Sequence, residues 1–338
     1  MSKAYLITAG AGIDSLTMVE RDVPSPAPGQ VKVRVRAVSL NHRDLGMARG
    51  TVPDARTVGF VPASDGAGEV TAVGQGVSQW KVGDRVTCAC SPDWYDGPPD
   101  SAYARTAIGG ANDGVLAEEV LLPAHGLVRI PDSMTFVEAA SFPCAGVTAY
   151  NALFGERPVQ PGQTVLVQGT GGVSIFALQL ARAAGAFVIA TSSSDDKLAR
   201  CRELGANALV NYRTSDWVAA AKEITGGRGV DTIVEVTGRL APSIDALAPN
   251  GTVSIIGATL GLDEPSTPVN PRAIFSKAAV LRGIFIGSVV MFRKLLATYE
   301  TNGLRPIVDS VHPFADARGA YEAMHAANHF GKLVIGVD

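Results

Sequence analysis

The run "TVLVQGTGGVSIFALQLARAAGA" (164–186) limits what this chain can fold into more than any other stretch. An apolar strand pattern ends in Gly169, Gly171 and Gly172, and an amphipathic helix pattern starts at once. In that order the free N–H groups of a helix N-terminus face a pyrophosphate, which is the dinucleotide-binding arrangement. Ser174 stands where the G-x-G-x-x-G pattern has its last glycine, and it is the next smallest residue that lets helix and strand pack closely. A glycine turn without a ligand is the competing reading, and the downstream rhythm speaks against it. "FVIATS", a helix over 195–204, "ALVNY" and "VDTIVEVTG" alternate strand with helix, and "GTVSIIGA" and "AVLRGIFIG" add two strands. Such alternation predicts an α/β fold with a doubly wound parallel sheet, the Rossmann arrangement. Gly257 and Phe285, in the last two of these strands, are further candidate cofactor contacts.

Upstream the texture differs. "QVKVRVRAVSL" (30–40) alternates as a strand with one wet face does, and "GAGEVTAVGQGV" and "KVGDRVTCAC" follow with glycines at turns. This part reads as a compact β-rich domain. Near the C-terminus two helical patterns, "MFRKLLATYETNG" and "DARGAYEAMHAANHFG", flank a short return strand at 307–311, so the β domain is discontinuous and closed by the tail. The expected division is 1–143, 144–288 and 289–338. With 29 Lys and Arg against 32 Asp and Glu and no basic block, an electrostatic footprint for nucleic acid or anionic lipid is missing. No run approaches the roughly 20 apolar residues of a membrane span. Four cysteines without framework spacing suit a reducing compartment, and the cytoplasm is the expected location.

The end of the second α/β strand selects the cofactor. About twenty residues past the glycine loop, an NAD site places Asp or Glu for the ribose hydroxyls. Here the position falls on Ser192 in "ATSSSDDK". Ser192, Ser193 and Lys197 offer donors for a 2′-phosphate, with Arg200 and Arg213 farther out, so NADP(H) is expected in preference to NAD(H). The competing reading makes Ser194 a helix cap, Asp195 and Asp196 first-turn acids and Lys197 solvated surface.

The order of the β domain, "PCAGVTAYNAL", "PGQTVLVQGTGGVS" and "LGANALVNYR" resembles the medium-chain dehydrogenase/reductase superfamily along essentially the whole chain. The resemblance implies a GroES-like catalytic domain paired with the Rossmann domain. It also implies a nicotinamide bound in the cleft between them. By the same resemblance Thr148 lies against the nicotinamide and Val173 behind it, while Tyr212 and Lys197 lie near the 2′-phosphate, as in the quinone-oxidoreductase branch. The catalytic ligands of zinc-dependent members fall on Asn41, Ser64 and Cys144, with Asp65 at the acidic neighbour. A zinc site needs about three ligands of Cys, His or carboxylate type, so no zinc is expected. His325 and His329 have helical i, i+4 spacing without the Glu of a metalloprotease helix and read as surface.

Without a metal, the chemistry narrows. No tyrosine has a lysine four residues on, the other common way of meeting charge on one oxygen. Hydride delivery to a quinone or an enone spreads that charge, so a weaker donor suffices. Asn41, His42 and Arg43 are the candidate donors, with Asp44, Ser64 and Asp65 as their hydrogen-bond supports; loop organisation is the alternative role for Asn41 and Asp44. Tyr95, in the long loop 91–114 with Trp94 and Tyr103, is the candidate proton donor if solvent is not. That loop is either a wall of the substrate pocket or a surface excursion packing its own aromatics. The expected partners are a small quinone, enone or alcohol and a second copy of the chain, paired through 281–287. Oxidation of an alcohol without zinc, and an NADPH-binding structural or RNA-binding role, are the other readings.

Overall fold

In a computed structural model the chain is described at residues 1–52, 56, 59–257 and 268–338, apart from the side chain of Ala104. Two compact units result, one formed by Met1–Val147 with Ile286–Asp338 and the other by Thr148–Phe285. The division falls at 147/148 and 285/286, a few residues from the boundaries expected at 143/144 and 288/289.

The first unit is built on β strands. β1 (Ser2–Leu6) and β2 (Thr17–Arg21) make an antiparallel pair. β3 (Gln30–Ser39), β4 (Asp65–Val73), β5 (Arg85–Cys88), β6 (Glu119–Pro123) and β7 (Leu127–Arg129) form most of a seven-stranded sheet. Alternation in β3 sends Val31, Val33 and Val35 into the core, while Arg36 pairs with Glu69 across on β4 at 3.0 Å. Burying each such side chain is worth roughly 1.5–3 kcal/mol, which fixes the register because a slip by one residue would turn the valines outward.

The second unit holds β8 (Thr164–Gln168), β9 (Phe187–Ser192), β10 (Ala208–Asn211), β11 (Val230–Glu235), β12 (Leu247–Ile255) and β13 (Val280–Gly283). All pair in parallel in the order β10-β9-β8-β11-β12-β13. This is the doubly wound order with its switch point between β8 and β11, and ligands bind beyond the carboxyl ends of the strands there. The run "AVLRGIFIG" is strand only as far as Gly283, so the expected pairing segment 281–287 is half strand; β13 is the sheet edge and its residues are partly exposed. Lys277 holds the turn before β12 by donating to the carbonyls of Ile244, Asp245 and Leu247 at 2.6–3.0 Å.

Beyond the second unit the chain returns to the first through β14 (Val308–Pro313) and β15 (Lys332–Gly336), and β15 joins the main sheet against β3. The helix Ala317–Ala326 ends at Ala327, which is left-handed, so His329 lies beyond the helix that carries His325. His325 contacts Arg49 at 2.8 Å.

Candidate active site

The glycine loop of the second unit has the geometry of an anion cradle. Gly169 sits at φ +71°, a conformation that favours glycine, and a methyl group built on Gly169 or Gly171 meets no atom within 4 Å. The helix Gly172–Ala183 starts from Gly171 with no side-chain cap, so its first N–H groups keep their hydrogen-bonding capacity. Ser174 is buried and donates its hydroxyl to the Gln168 carbonyl at 2.6 Å, tying helix to strand where a glycine would only allow contact. Val173 lies in the first turn of the same helix, and Thr148 is buried in the helix Val147–Phe154. Gly257 has a steric reason for being glycine, since a side chain there would strike the backbone of Val236, Thr237 and Gly238 at 2.4–2.6 Å. Phe285 closes the unit and is 42% exposed. The loop and the uncapped helix start fit the pyrophosphate of a dinucleotide and would hold it there.

Ser192 and Tyr212 meet where β9 and β10 end, and Ser193 and Lys197 stand in the segment that follows β9. The N–H of Tyr212 donates to the Ser192 carbonyl at 3.1 Å, and the Ser192 hydroxyl accepts from the N–H of Ser194 at 3.3 Å. Ser194 caps the helix Asp195–Glu203 by accepting from the N–H of Lys197. The cap expected at Ser194 is therefore formed, with Asp195 and Asp196 in the first turn of the helix. The Asp195 carboxylate accepts from Asn211 Nδ2 at 2.8 Å.

In the first unit, Asn41 starts the helix His42–Arg49, and its own N–H donates to the Asp44 carboxylate at 2.7 Å. The side-chain oxygen of Asn41 accepts from Lys332 Nζ at 2.5 Å, and the same ammonium donates to the Leu40 carbonyl at 2.6 Å. The amide nitrogen of Asn41 faces the Asp65 carboxylate and helps to lower its pKa, yet it meets no acceptor at hydrogen-bond geometry. Ser64 donates to Asp65 Oδ1 at 2.7 Å, and the N–H of Cys144 donates to Asp65 Oδ2 at 3.0 Å. Asn41, Ser64, Asp44, Asp65 and Lys332 are all buried. Burial pushes the Asp65 carboxyl up, against the pull of Lys332. His42 faces out, whereas Arg43 donates to the Ile108 carbonyl at 3.1 Å.

Burial also raises Asp44, to about 6 from 3.8, with Arg43 and the N–H of Asn41 opposing. The folded state then binds the proton more tightly than the unfolded one, so stability falls as pH rises from about 4 through about 6. That rise costs on the order of 3 kcal/mol. Asp44→Asn keeps an acceptor for the N–H of Asn41 without the charge. Urea unfolding of both proteins from pH 4 to pH 7 should show the variant gaining about 3 kcal/mol relative to wild type across that window. A difference that does not change with pH would count against a buried, pKa-shifted Asp44.

Tyr95 is not part of this cluster. It is 47% exposed, its hydroxyl accepts from Arg293 at 2.9 Å, and its ring lies under that guanidinium. Trp94 is buried and stacked on Tyr103, with centroids 5.8 Å apart, and the Trp94 and Tyr95 carbonyls accept from the N–H groups of Val289 and Val290. The loop thus packs its own aromatics and is anchored to the start of the helix Val289–Thr301. One residue that sequence reasoning missed belongs to the cluster, Lys332, and a lysine heading an otherwise apolar strand, "KLVIG", was the available signal for it.

The positions that carry zinc in metal-dependent relatives do not fit the metal. Asn41 Oδ1 already accepts from a lysine ammonium and Ser64 donates to Asp65, which leaves Cys144 as the one soft ligand of the three positions. Among the described residues, no three His, Cys, Asp or Glu side chains are placed to hold a metal ion, and no helix is long and apolar enough to cross a membrane.

A doubly wound parallel unit with an open glycine cradle, joined to a discontinuous β unit, defines a two-domain dehydrogenase/reductase. Comparison with known proteins agrees. Residues 27–132 match the alcohol dehydrogenase GroES-like domain, and residues 172–301 match the family described as zinc-binding dehydrogenase. The chain is 43% identical to a zinc-type alcohol dehydrogenase-like protein of Schizosaccharomyces pombe, covering 97% of both chains. It is 30% identical to a 2-haloacrylate reductase of Burkholderia, covering 99% of both. A solved NAD-dependent alcohol dehydrogenase superposes with a TM-score of 0.89 at 32% identity, over 99% of this chain and 100% of that one. The chain belongs to the medium-chain dehydrogenase/reductase family and is an oxidoreductase.

Proposed function

We propose that the protein is an NADPH-dependent, zinc-independent oxidoreductase that reduces a quinone or an activated carbon–carbon double bond conjugated to a carbonyl. The observation that carries this reading is the bonding of Asn41. A lysine ammonium occupies its oxygen where zinc-dependent relatives place a ligand, and its buried Nδ2 is left as a neutral donor. Bound NADPH would supply the hydride. Reduction of an isolated ketone concentrates negative charge on one oxygen and calls for a metal or a strong acid. A conjugated acceptor spreads the charge into an enolate or hydroquinone, for which an amide donor is enough. The name of the Burkholderia relative supports the reading, because a 2-haloacrylate is such an acceptor.

A second reading is zinc-independent oxidation of an alcohol with NAD(P); the names of the other two relatives support the alcohol part of it. Turnover measured with NADPH and NADH on a panel of quinones and enones, and with the oxidised cofactors on secondary alcohols, separates the two. Fastest turnover on a quinone or enone is expected. A secondary alcohol as best substrate would replace the proposal by the second reading, and cofactor binding without any turnover would leave a binding-only protein.

The proposed preference for NADPH rests on Ser192 at the end of β9 in place of a carboxylate, with Tyr212 bonded to it and Ser193 and Lys197 in the segment that follows. A charge-assisted hydrogen bond to a phosphate contributes roughly 1.5–3 kcal/mol, or about ten- to a hundredfold in affinity. Lys197→Ala is expected to lose that much for NADPH and little for NADH by calorimetry; equal weakening of both would remove Lys197 from the phosphate site. We further propose a twofold dimer formed at the partly exposed edge strand β13, since unpaired edges invite pairing. Light scattering at micromolar concentration is expected to give twice the chain mass, and a monomer would contradict it.

A further inference from the structure

Arg43 stands in the first turn of the helix His42–Arg49, next but one to Asn41, and is half-buried. A guanidinium carries several N–H groups in a rigid fork. Here Nη1 donates to the Ile108 carbonyl at 3.1 Å. Among the described residues the other N–H groups meet no acceptor, no carboxylate lies within ion-pair distance, and the free side of the fork is open to solvent. A positive charge partly withdrawn from water and left without a counter-ion is costly unless something else supplies one.

The segment that receives Arg43 lies against the Asn41 cluster. Gly109 sits at φ +70°, and a side chain built on it would lie 2.5–2.9 Å from the backbone of Ala63 and Ser64. A side chain on Gly110 would come within 3.2 Å of Arg43 Nη2. Residues 108–110 therefore join the guanidinium to the wall that carries Ser64 and Asp65. The carboxylates of that wall are already served. Asp44 accepts from the N–H of Asn41, Asp65 accepts from Ser64 and the N–H of Cys144, and the Lys332 ammonium opposes both charges. Arg43 reaches them only through space, and holding the Ile108 carbonyl alone would not require a guanidinium.

We propose that Arg43 receives a carboxylate of the substrate, so that the preferred acceptor is a small enone or quinone bearing an acid group. This rests on the reading of the protein as a reductase of conjugated acceptors. The fork of a guanidinium matches the two oxygens of a carboxylate, and a charge-assisted bond of this kind is felt as about ten- to a hundredfold in affinity. No bond to Arg43 forms or breaks in the reaction. The guanidinium holds and orients one end of the substrate, while Asn41 remains the donor to the oxygen on which charge develops.

The test compares 3-benzoylacrylate, an enone with a carboxylate, with its methyl ester, in wild type, Arg43→Gln and Arg43→Lys, with NADPH as reductant. Glutamine keeps a donor for the Ile108 carbonyl, and lysine keeps the charge without the fork. In wild type the acid is expected to have a KM about tenfold or more below that of the ester, although the ester is intrinsically the easier of the two to reduce. The ratio, taken within each protein so that any general loss cancels, is expected to vanish in Arg43→Gln and to return in part in Arg43→Lys. Calorimetry with 3-benzoylpropionate, the saturated product, and its methyl ester repeats the comparison without turnover. Tighter binding of that acid, lost in Arg43→Gln, would uphold the carboxylate site even if neither enone is reduced, and the reductase reading alone would then fail. Equal affinity of wild type for acid and ester would overturn the proposal and leave the reductase reading standing. So would a loss of NADPH affinity in Arg43→Gln as large as the loss for the acid, which would assign the guanidinium to a cofactor phosphate. The wild-type comparison decides even if a variant fails to fold.

Discussion

Replacing Lys332 by Met is expected to cost the first unit about 3–5 kcal/mol of stability at neutral pH, the usual scale for leaving buried carboxylates without their nearby counter-charge. Lys332 is 2% exposed, and its ammonium satisfies Asn41 Oδ1 and the Leu40 carbonyl while opposing the charges of Asp65 and Asp44. Methionine nearly matches its volume, so the loss measures charge and hydrogen bonding rather than a cavity. Two features distinguish this from a simple packing defect. Asp65 already has a raised pKa, and without Lys332 it would rise further, so the penalty should shrink as pH falls and Asp65 takes up a proton. Adding Asp65→Asn to Lys332→Met should restore most of the loss, because no unpaired charge is then buried. Urea unfolding of the two single variants and the double variant at pH 5 and pH 7.5 provides the check. A single-variant loss below about 1 kcal/mol, or no recovery in the double variant, would mean that the cluster is not held by this pair.

That Lys332 escaped the sequence reading while the glycine loop did not follows from where their signals lie. The loop is a local event: strand, glycines and helix occupy adjacent residues, and the period changes within them. Strand order in the second unit follows equally, since parallel strands with helical crossovers leave few topologies. Ser174 could be judged tolerable by size, but its bond to the Gln168 carbonyl depends on the angle at which the helix leaves the strand. The Asn41 cluster is the opposite case. Asn41, Ser64, Cys144 and Lys332 come from four segments, and Lys332 reaches Asn41 across 291 residues of chain. A lysine at the head of an apolar strand looks like an edge charge until the partner carboxylate is known. Tyr95 shows the limit from the other side: an aromatic in a long loop suggested a place in the pocket, and the anchoring of that loop by Val289 and Val290 was not visible in its composition.

Asn41→Ala is expected to lower turnover by about a hundredfold or more while NADPH binding persists, the scale on which loss of one well-placed donor to a developing oxyanion is felt. The argument starts from the two ends of the amide. Its oxygen is pinned by Lys332 and its backbone N–H by Asp44, so the rotamer is set before substrate arrives. Its Nδ2 has no acceptor at bonding geometry and can donate at little cost in reorganisation. Alanine deletes that donor and also leaves Lys332 with one partner fewer, so stability must be measured beside rate. Asn41→Asp is a second test of the donor: it keeps an acceptor for Lys332 but puts a carboxylate oxygen where the donor was, facing Asp65, and it should be as inactive as alanine, with stability again measured beside rate. Tyr95→Phe removes a hydroxyl that accepts from Arg293 and still carries its own proton. If that proton reaches the substrate carbon, enone reduction should slow more than quinone reduction, since a quinone can take its protons on exposed oxygens from solvent. If solvent is the donor for both, the variant should keep its rates. Full activity in Asn41→Ala would show that charge on the substrate is met elsewhere, and the reading built on the Asn41 amide would have to be given up.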